Sequence, residues 1–359
     1  MQLLKEQRHR EEQRVTRLKA RTSLSNSLLS WYTQHEQKYP WRLLWAQTKD
    51  PYFVWISEIM LQQTTLKAVL PKYDHFINLF PDVRTLADAE PIQLKLAVQG
   101  LGYYRRFDLL HKAAKKLIEQ SPSHSILWPT SYKEWTDLPG IGPYTASAMA
   151  SITLNEPVAA VDGNVERVFS RLFRVRRSLG FEMKFKEEIR VLTQKQIDPE
   201  RPGIYNQAVM EWGQFICTPQ KPKCTICPQK ESCEAFQAKE IDFYPTPLVK
   251  PLKQDVFLKL TIPFKKNKLG LLNRGPSALF LKNTLGFPFS IEKKASKKRD
   301  FVHHITKYKI HVKVEADEIK NAQLQWIPLE DVDGLLVSNL DRKALRVFSH
   351  SKVEAYSSL

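Results

Sequence analysis

The stretch Leu138-Pro139-Gly140-Ile141-Gly142-Pro143-Tyr144-Thr145-Ala146, continued by the small-residue run SAMASITL (residues 147–154), decides how this chain folds. Two glycines one residue apart let the backbone turn tightly and present N–H groups outward, and the helix that follows adds the positive end of its dipole. A phosphate can dock at Gly140 and Gly142 without side-chain charge, although a plain helix–helix turn has the same sequence. Downstream, VAAVDGNVERVFSRLFRV (158–175) sets Asp162-Gly163-Asn164 at the opening of an amphipathic helix. An Asp in that position is most often a cap.

Outward from this centre, apolar residues recur at three- and four-residue spacing from Ser23 to Glu240. TLADAEPIQLKLAVQ and RRFDLLHKAAKKLIEQ are examples, separated by short Pro or Gly breaks. This predicts a mainly α domain or pair of domains. The stretch FYPTPLVKPLK (243–253) holds three prolines and reads as a linker. After it come β-rich runs, VFLKLTIPF, SALFLKN and YKIHVKVEA, and a helix-like end at DRKALRVFSH, so a second, mixed α and β domain is expected. Residues 1–22, with seven Lys/Arg and three Glu, form a basic N-terminal extension.

The chain has 359 residues, 42% of them hydrophobic, which excludes a mainly disordered protein. No membrane span or signal peptide is visible, so a cytoplasmic protein is expected. The 55 Lys+Arg against 38 Asp+Glu give a net charge of +17, and residues 251–359 share it with 20 basic and 11 acidic side chains. Such an excess attracts a polyanion, of which nucleic acid is the commonest.

All four cysteines lie in one window with the spacing Cys217-x6-Cys224-x2-Cys227-x5-Cys233. That is a metal site in a reducing compartment, not a disulfide scaffold. Zinc usually takes two separated Cys-x2-Cys pairs, and bacterial ferredoxin spacing is tighter at its outer steps. With no His in the window, an iron–sulfur cluster fits better than zinc.

Taken together, LPGIGPYTA, VDGNV and the cysteine loop preceded by NQAVMEWGQFIC resemble the endonuclease III superfamily of helix-hairpin-helix DNA glycosylases. PWR (Pro40–Arg42), SEIMLQQT (Ser57–Thr64) and GLGYY (Gly100–Tyr104) are similar to its MutY-type adenine glycosylase branch. The resemblance implies a six-helix module over 46–149 and an iron–sulfur module over 23–45 and 150–240 carrying a 4Fe-4S cluster on Cys217, Cys224, Cys227 and Cys233. A linker over 241–252 and a degenerate Nudix-like domain over 253–359 would follow. It implies a monomer acting on double-stranded DNA that holds adenine opposite 8-oxoguanine or guanine, with the adenine flipped out of the stack.

Roles carry over residue by residue. Adenine is a poor anionic leaving group, and Glu58, a lone charge in WISEIML, would be the acid that protonates it. Asp162 would stabilise the oxocarbenium-like sugar, with Tyr144 and Asn164 hydrogen-bonded around it and the attacking water. Gln63 and Tyr103 match residues that wedge into the stack. Leu61 and Gln62 match the adenine pocket, and Trp41 and Arg42 a purine contact. In the C-terminal domain Phe301 and His303 match a loop that reads 8-oxoguanine, but Val302 replaces its usual Ser and has neither donor nor acceptor. The Glu-rich residues of nucleotide hydrolysis are absent. The alternatives are a bifunctional pyrimidine glycosylase and lyase, whose attacking Lys is replaced here by Tyr144, and a non-catalytic mismatch-binding protein, against which Glu58 and Asp162 argue.

Overall fold

The computed structural model describes residues 24–121, 125–178, 180–246, 252–293, 298–305, 307–317 and 323–356. The basic N-terminal extension and residues 247–251 of the linker lie outside the described residues.

Helical segments follow in the order α1 (24–35), α2 (Pro40–Thr48), α3 (Pro51–Leu61), α4 (Leu66–Leu79), α5 (Val83–Asp88), α6 (Pro91–Ala97), α7 (Arg105–Gln120) and α8 (Tyr132–Thr136). After these come α9 (Pro143–Thr153), α10 (Gly163–Leu172), α11 (Glu182–Gln196), α12 (Pro202–Phe215) and α13 (Glu234–Gln237). Helices α2, α3, α6, α9 and α12 open on proline, whose fixed φ and missing N–H suit a first helical turn. Pro91 also explains why TLADAEPIQLKLAVQ is two helices: α5 ends before it, and Glu90 caps α6 in a reciprocal box with Gln93.

The chain divides into two compact units. One holds residues up to Gln62, Asp82–Asp88 and Asp108–Leu248; the other holds Gln63–Pro81, Ala89–Phe107 and Val249 onward. In the first, Leu28 and Tyr32 of α1, Val168 and Phe169 of α10, Ile189 of α11 and Trp212 of α12 share a buried core with Cys233. Trp55 of α3 meets Trp128 and Trp135 at ring-centroid distances of 6.0 and 6.5 Å. In the second unit α4 packs on α6, and a mixed sheet follows: β1 (Gln254–Lys265), β2 (Lys268–Asn273), β3 (Leu285–Gly286), β4 (Phe289–Glu292), β5 (Phe301–Ile305), β6 (Tyr308–Asp317) and β7 (Gln325–Pro328).

The strand order is β3-β2-β1-β6-β5, with β4 also on β1 and β7 on β2. Strand β6 runs parallel to β1 from Gln254↔Tyr308 to Pro263↔Asp317, and the other pairs are antiparallel. Alternate residues Leu258, Leu260 and Ile262 of β1 enter a core closed by α14 (Leu329–Leu335) and α15 (Asn339–Tyr356). This is the α+β domain expected. SALFLKN, however, is not a strand. Leu281 and Asn283 take left-handed φ of 57° and 54°, the Asn283 N–H donates to the Arg274 carbonyl at 2.8 Å and the Arg274 N–H donates to the Thr284 carbonyl at 3.0 Å, so the apolar run forms a loop that buries Phe280.

Candidate active site

Helix α3 is apolar on most sides, and its one charged residue, Glu58, is carried into half-buried surroundings between Ser57 and Ile59. Burial pushes its carboxyl from 4.5 up to about 7. A hydrogen bond from Tyr144 and the charge of Arg42 pull it down, and the charge of Asp162 pushes it up. Tyr144 reaches this carboxyl from the first turn of α9, its hydroxyl also lying 3.4 Å from Met210 Sδ. Burial, with Glu58 and Asp162 beside it, drives the Tyr144 phenol well above its ordinary range.

Asp162 caps α10, its Oδ1 accepting from the N–H groups of Asn164 and Val165 at 2.9 and 2.8 Å. Its Oδ2 accepts from Asn164 Nδ2 at 2.7 Å. Burial raises its carboxyl, and these hydrogen bonds oppose the rise by favouring the ionised form. Being a cap does not remove Asp162 from the site: the same carboxylate faces Glu58 and Tyr144. The structure therefore brings Glu58, Tyr144, Asp162 and Asn164 together.

Two residues that sequence reading passed over join them. Arg167, one turn into α10, donates to Asn164 Oδ1 at 2.9 Å, to the Gly213 carbonyl at 2.7 Å and to the Cys217 carbonyl at 2.8 Å. Glu211 of α12 pairs with Arg42 at 2.5 Å, and burial raises its carboxyl while Arg42 pulls it down. Like Glu58, Glu211 is a lone carboxylate in an apolar helix, and that signal could have found it. Arg42 also bonds the Gln37 carbonyl at 3.0 Å and lies over the Tyr39 ring, on which the buried Trp41 stacks.

All four cysteines are free thiols lining a single cavity with Val168 and Trp212. Arg171 donates to Cys217 Sγ at 3.4 Å and to the carbonyls of Thr218 and Pro219 at 2.7 and 3.1 Å, fixing the loop's first turn. Among the described residues no three His, Cys, Asp or Glu side chains converge tightly enough for one ion. The thiols surround a space instead of a point, and a multi-iron group with thiolate corners suits that donor set.

Leu61 is half-buried at the end of α3, and Gln62 donates to Thr145 Oγ1 at 3.1 Å. In the second unit Gln63 and Tyr103 are exposed and left-handed, with φ of 54° and 48°. Gly140 turns left-handed at φ 81°, where a Cβ would stand 2.7 Å from Leu109 Cβ, and Gly142 is the N-cap of α9. Phe301 packs against the core of the sheet with Lys343 over its ring. Burial holds His303 down at about 4. Val302 pairs with His311, which meets Arg299 at 2.8 Å.

Residues 56–195 match the HhH-GPD superfamily of base excision DNA repair proteins. Adenine DNA glycosylase of Mus musculus is 37% identical over 60% of this chain and 42% of its own length, and that of Homo sapiens 38% over 61% and 40%. The chain thus spans less than half of these two relatives. Adenine DNA glycosylase of Buchnera aphidicola from Schizaphis graminum is 29% identical over 90% of this chain and 98% of its own length. A thermostable thymine-DNA glycosylase shares the fold at TM-score 0.52 and 24% identity, covering 61% of this chain and 98% of that one. No described helix is long and apolar enough to cross a membrane. The hairpin at Gly140–Gly142 and the cluster of Glu58 and Asp162 both lie within the span, residues 56–195, over which the chain is similar to the HhH-GPD superfamily of base excision DNA repair proteins.

Proposed function

We propose that this chain is a monofunctional adenine DNA glycosylase that hydrolyses the N-glycosidic bond of adenine opposite 8-oxoguanine or guanine in duplex DNA. The observation that carries the reading is a carboxyl raised to about 7 beside a second carboxyl held by three hydrogen bonds. Glu58, protonated in good part at neutral pH, delivers a proton to the flipped adenine and lets it leave neutral. Asp162, whose ionised form its cap bonds favour against the effect of burial, faces the positive charge growing on the sugar. Asn164 and Tyr144 hold the two carboxyl groups, and water completes the hydrolysis. Tyr144 supplies no amine, so no Schiff base with the sugar forms.

Gly140 and Gly142 take a backbone phosphate, while Gln63 and Tyr103 wedge the stack. Leu61, Gln62, Trp41 and Arg42 line the base pocket. The whole acts as a monomer on DNA in the cytoplasm. Cys217, Cys224, Cys227 and Cys233 hold a 4Fe-4S cluster that orders the basic loop Gln220–Lys230. In the C-terminal domain Phe301 and His303 give shape and backbone contact, and Val302 leaves the preference for 8-oxoguanine narrow.

The test is release of free adenine from a duplex with one A·8-oxoguanine pair. Binding without release would make the chain a mismatch-binding protein. Pyrimidine release with efficient borohydride trapping would make it a lyase. Purified protein should be brown with about four irons per chain; colourless protein with stoichiometric zinc would refute the cluster.

A further inference from the structure

The loop joining α6 to α7 turns left-handed three times, at Gly100 (φ 90°), Gly102 (φ 70°) and Tyr103 (φ 48°). A non-glycine residue in this region is strained and persists only where its surroundings over-determine it. The turns direct the Gly100 and Gly102 N–H groups onto the Tyr104 hydroxyl, Gly100 at 3.1 Å. That hydroxyl in turn donates to the Val337 carbonyl at 2.8 Å. Just before the loop, the Gln99 side chain donates to the Leu336 carbonyl, and Lys95 donates to the Asn283 carbonyl at 2.7 Å.

The receiving segment is fixed. Leu336 and Val337 are buried, Arg342 Nε donates to the Leu336 carbonyl at 3.0 Å, and the Leu340 N–H donates to Ser338 Oγ at 3.0 Å. On the loop's other side Arg106 donates to Thr64 Oγ1 at 2.7 Å, and Thr64 to the Leu101 carbonyl at 3.2 Å, which ties in the turn holding Gln63.

We infer that Tyr104, seconded by Gln99, is a positioning residue. Its hydroxyl clasps the Gly100–Tyr103 loop to residues 336–338 and so holds the exposed Tyr103 at the angle from which it enters the base stack. This rests on the glycosylase reading above. Tyr104 itself reaches no reacting atom; it acts through Tyr103.

The test uses the full-length chain. Tyr104→Phe keeps the ring and removes the clasp. Amides of residues 98–104 should exchange faster in the DNA-free protein while the melting temperature hardly moves. Single-turnover adenine release should fall about fivefold, the worth of one net hydrogen bond. In a Tyr103→Ala background the same change should add nothing, because two residues acting as one device are not additive. Unchanged loop exchange would overturn the clasp, and faster exchange with unchanged or additive excision would overturn the positioning role. A wild type that releases no adenine from any duplex refutes the glycosylase reading instead, and loop exchange still decides the clasp.

Discussion

At Glu58 the burial that makes a carboxyl useful as an acid also makes it costly to the fold. Its value in the native protein lies near 7 against an ordinary 4.5, so the unfolded chain gives up this proton first as pH rises. Stability associated with the group is therefore full below about 4.5 and is lost as pH climbs to about 7. Glu58→Gln should be more stable than wild type by about 1–3 kcal/mol at pH 8 and by nothing at pH 4. Equal unfolding curves at pH 8 would put the carboxyl in water. Adenine release by the wild type should fall as pH rises through about 7, and the variant should bind mismatched duplex yet release almost nothing. Asp162→Asn separates two jobs in one side chain. Asn caps a helix as well as Asp does, so denaturant midpoints should hardly change, while excision drops about 10²–10³-fold. Asp162→Ala should lose the cap as well, at about 1 kcal/mol.

Among the elements, the hairpin depends on close approach: with φ of 81° and Leu109 against it, Gly140 cannot accept a methyl group without moving α7 or the turn. Gly140→Ala should destabilise the protein by about 1–3 kcal/mol and weaken binding to any duplex alike, since phosphate contacts carry no sequence information. Affinity loss confined to mismatched duplex would contradict that role. The hairpin was legible because its glycines are local requirements, as were α7, whose residues coincide with RRFDLLHKAAKKLIEQ, and the cap at Asp162. SALFLKN misled because two left-handed residues and a buried Phe280 outweigh its β propensity. Arg167 stayed hidden for a different reason. Its partners Gly213 and Cys217 lie 46 and 50 residues away, and no periodicity within α10 reports on them.

On the scale of the molecule, the second unit turns on one buried ion pair. Arg274 meets both oxygens of Asp341 at 2.9 and 2.6 Å, with the Phe287 N–H on the same carboxylate. Removing one partner leaves a charge uncompensated, so Asp341→Ala should cost about 3–5 kcal/mol. In a calorimeter the loss should fall on the transition containing the sheet, with the transition of α10 and α12 left in place. A uniform shift of both would mean that the units melt as one. The three-piece make-up of each unit also has a consequence for how the protein is made. Tyr104 leaves the ribosome roughly 230 residues before Val337, tens of seconds at about 5–20 residues per second. By then Glu58, Tyr144 and Asp162 have all emerged with the rest of their unit. Translation thus finishes the unit of Glu58 and Asp162 early and the fastening of the Tyr103 turn last, because the Val337 carbonyl that receives the Tyr104 hydroxyl comes near the end of the sequence.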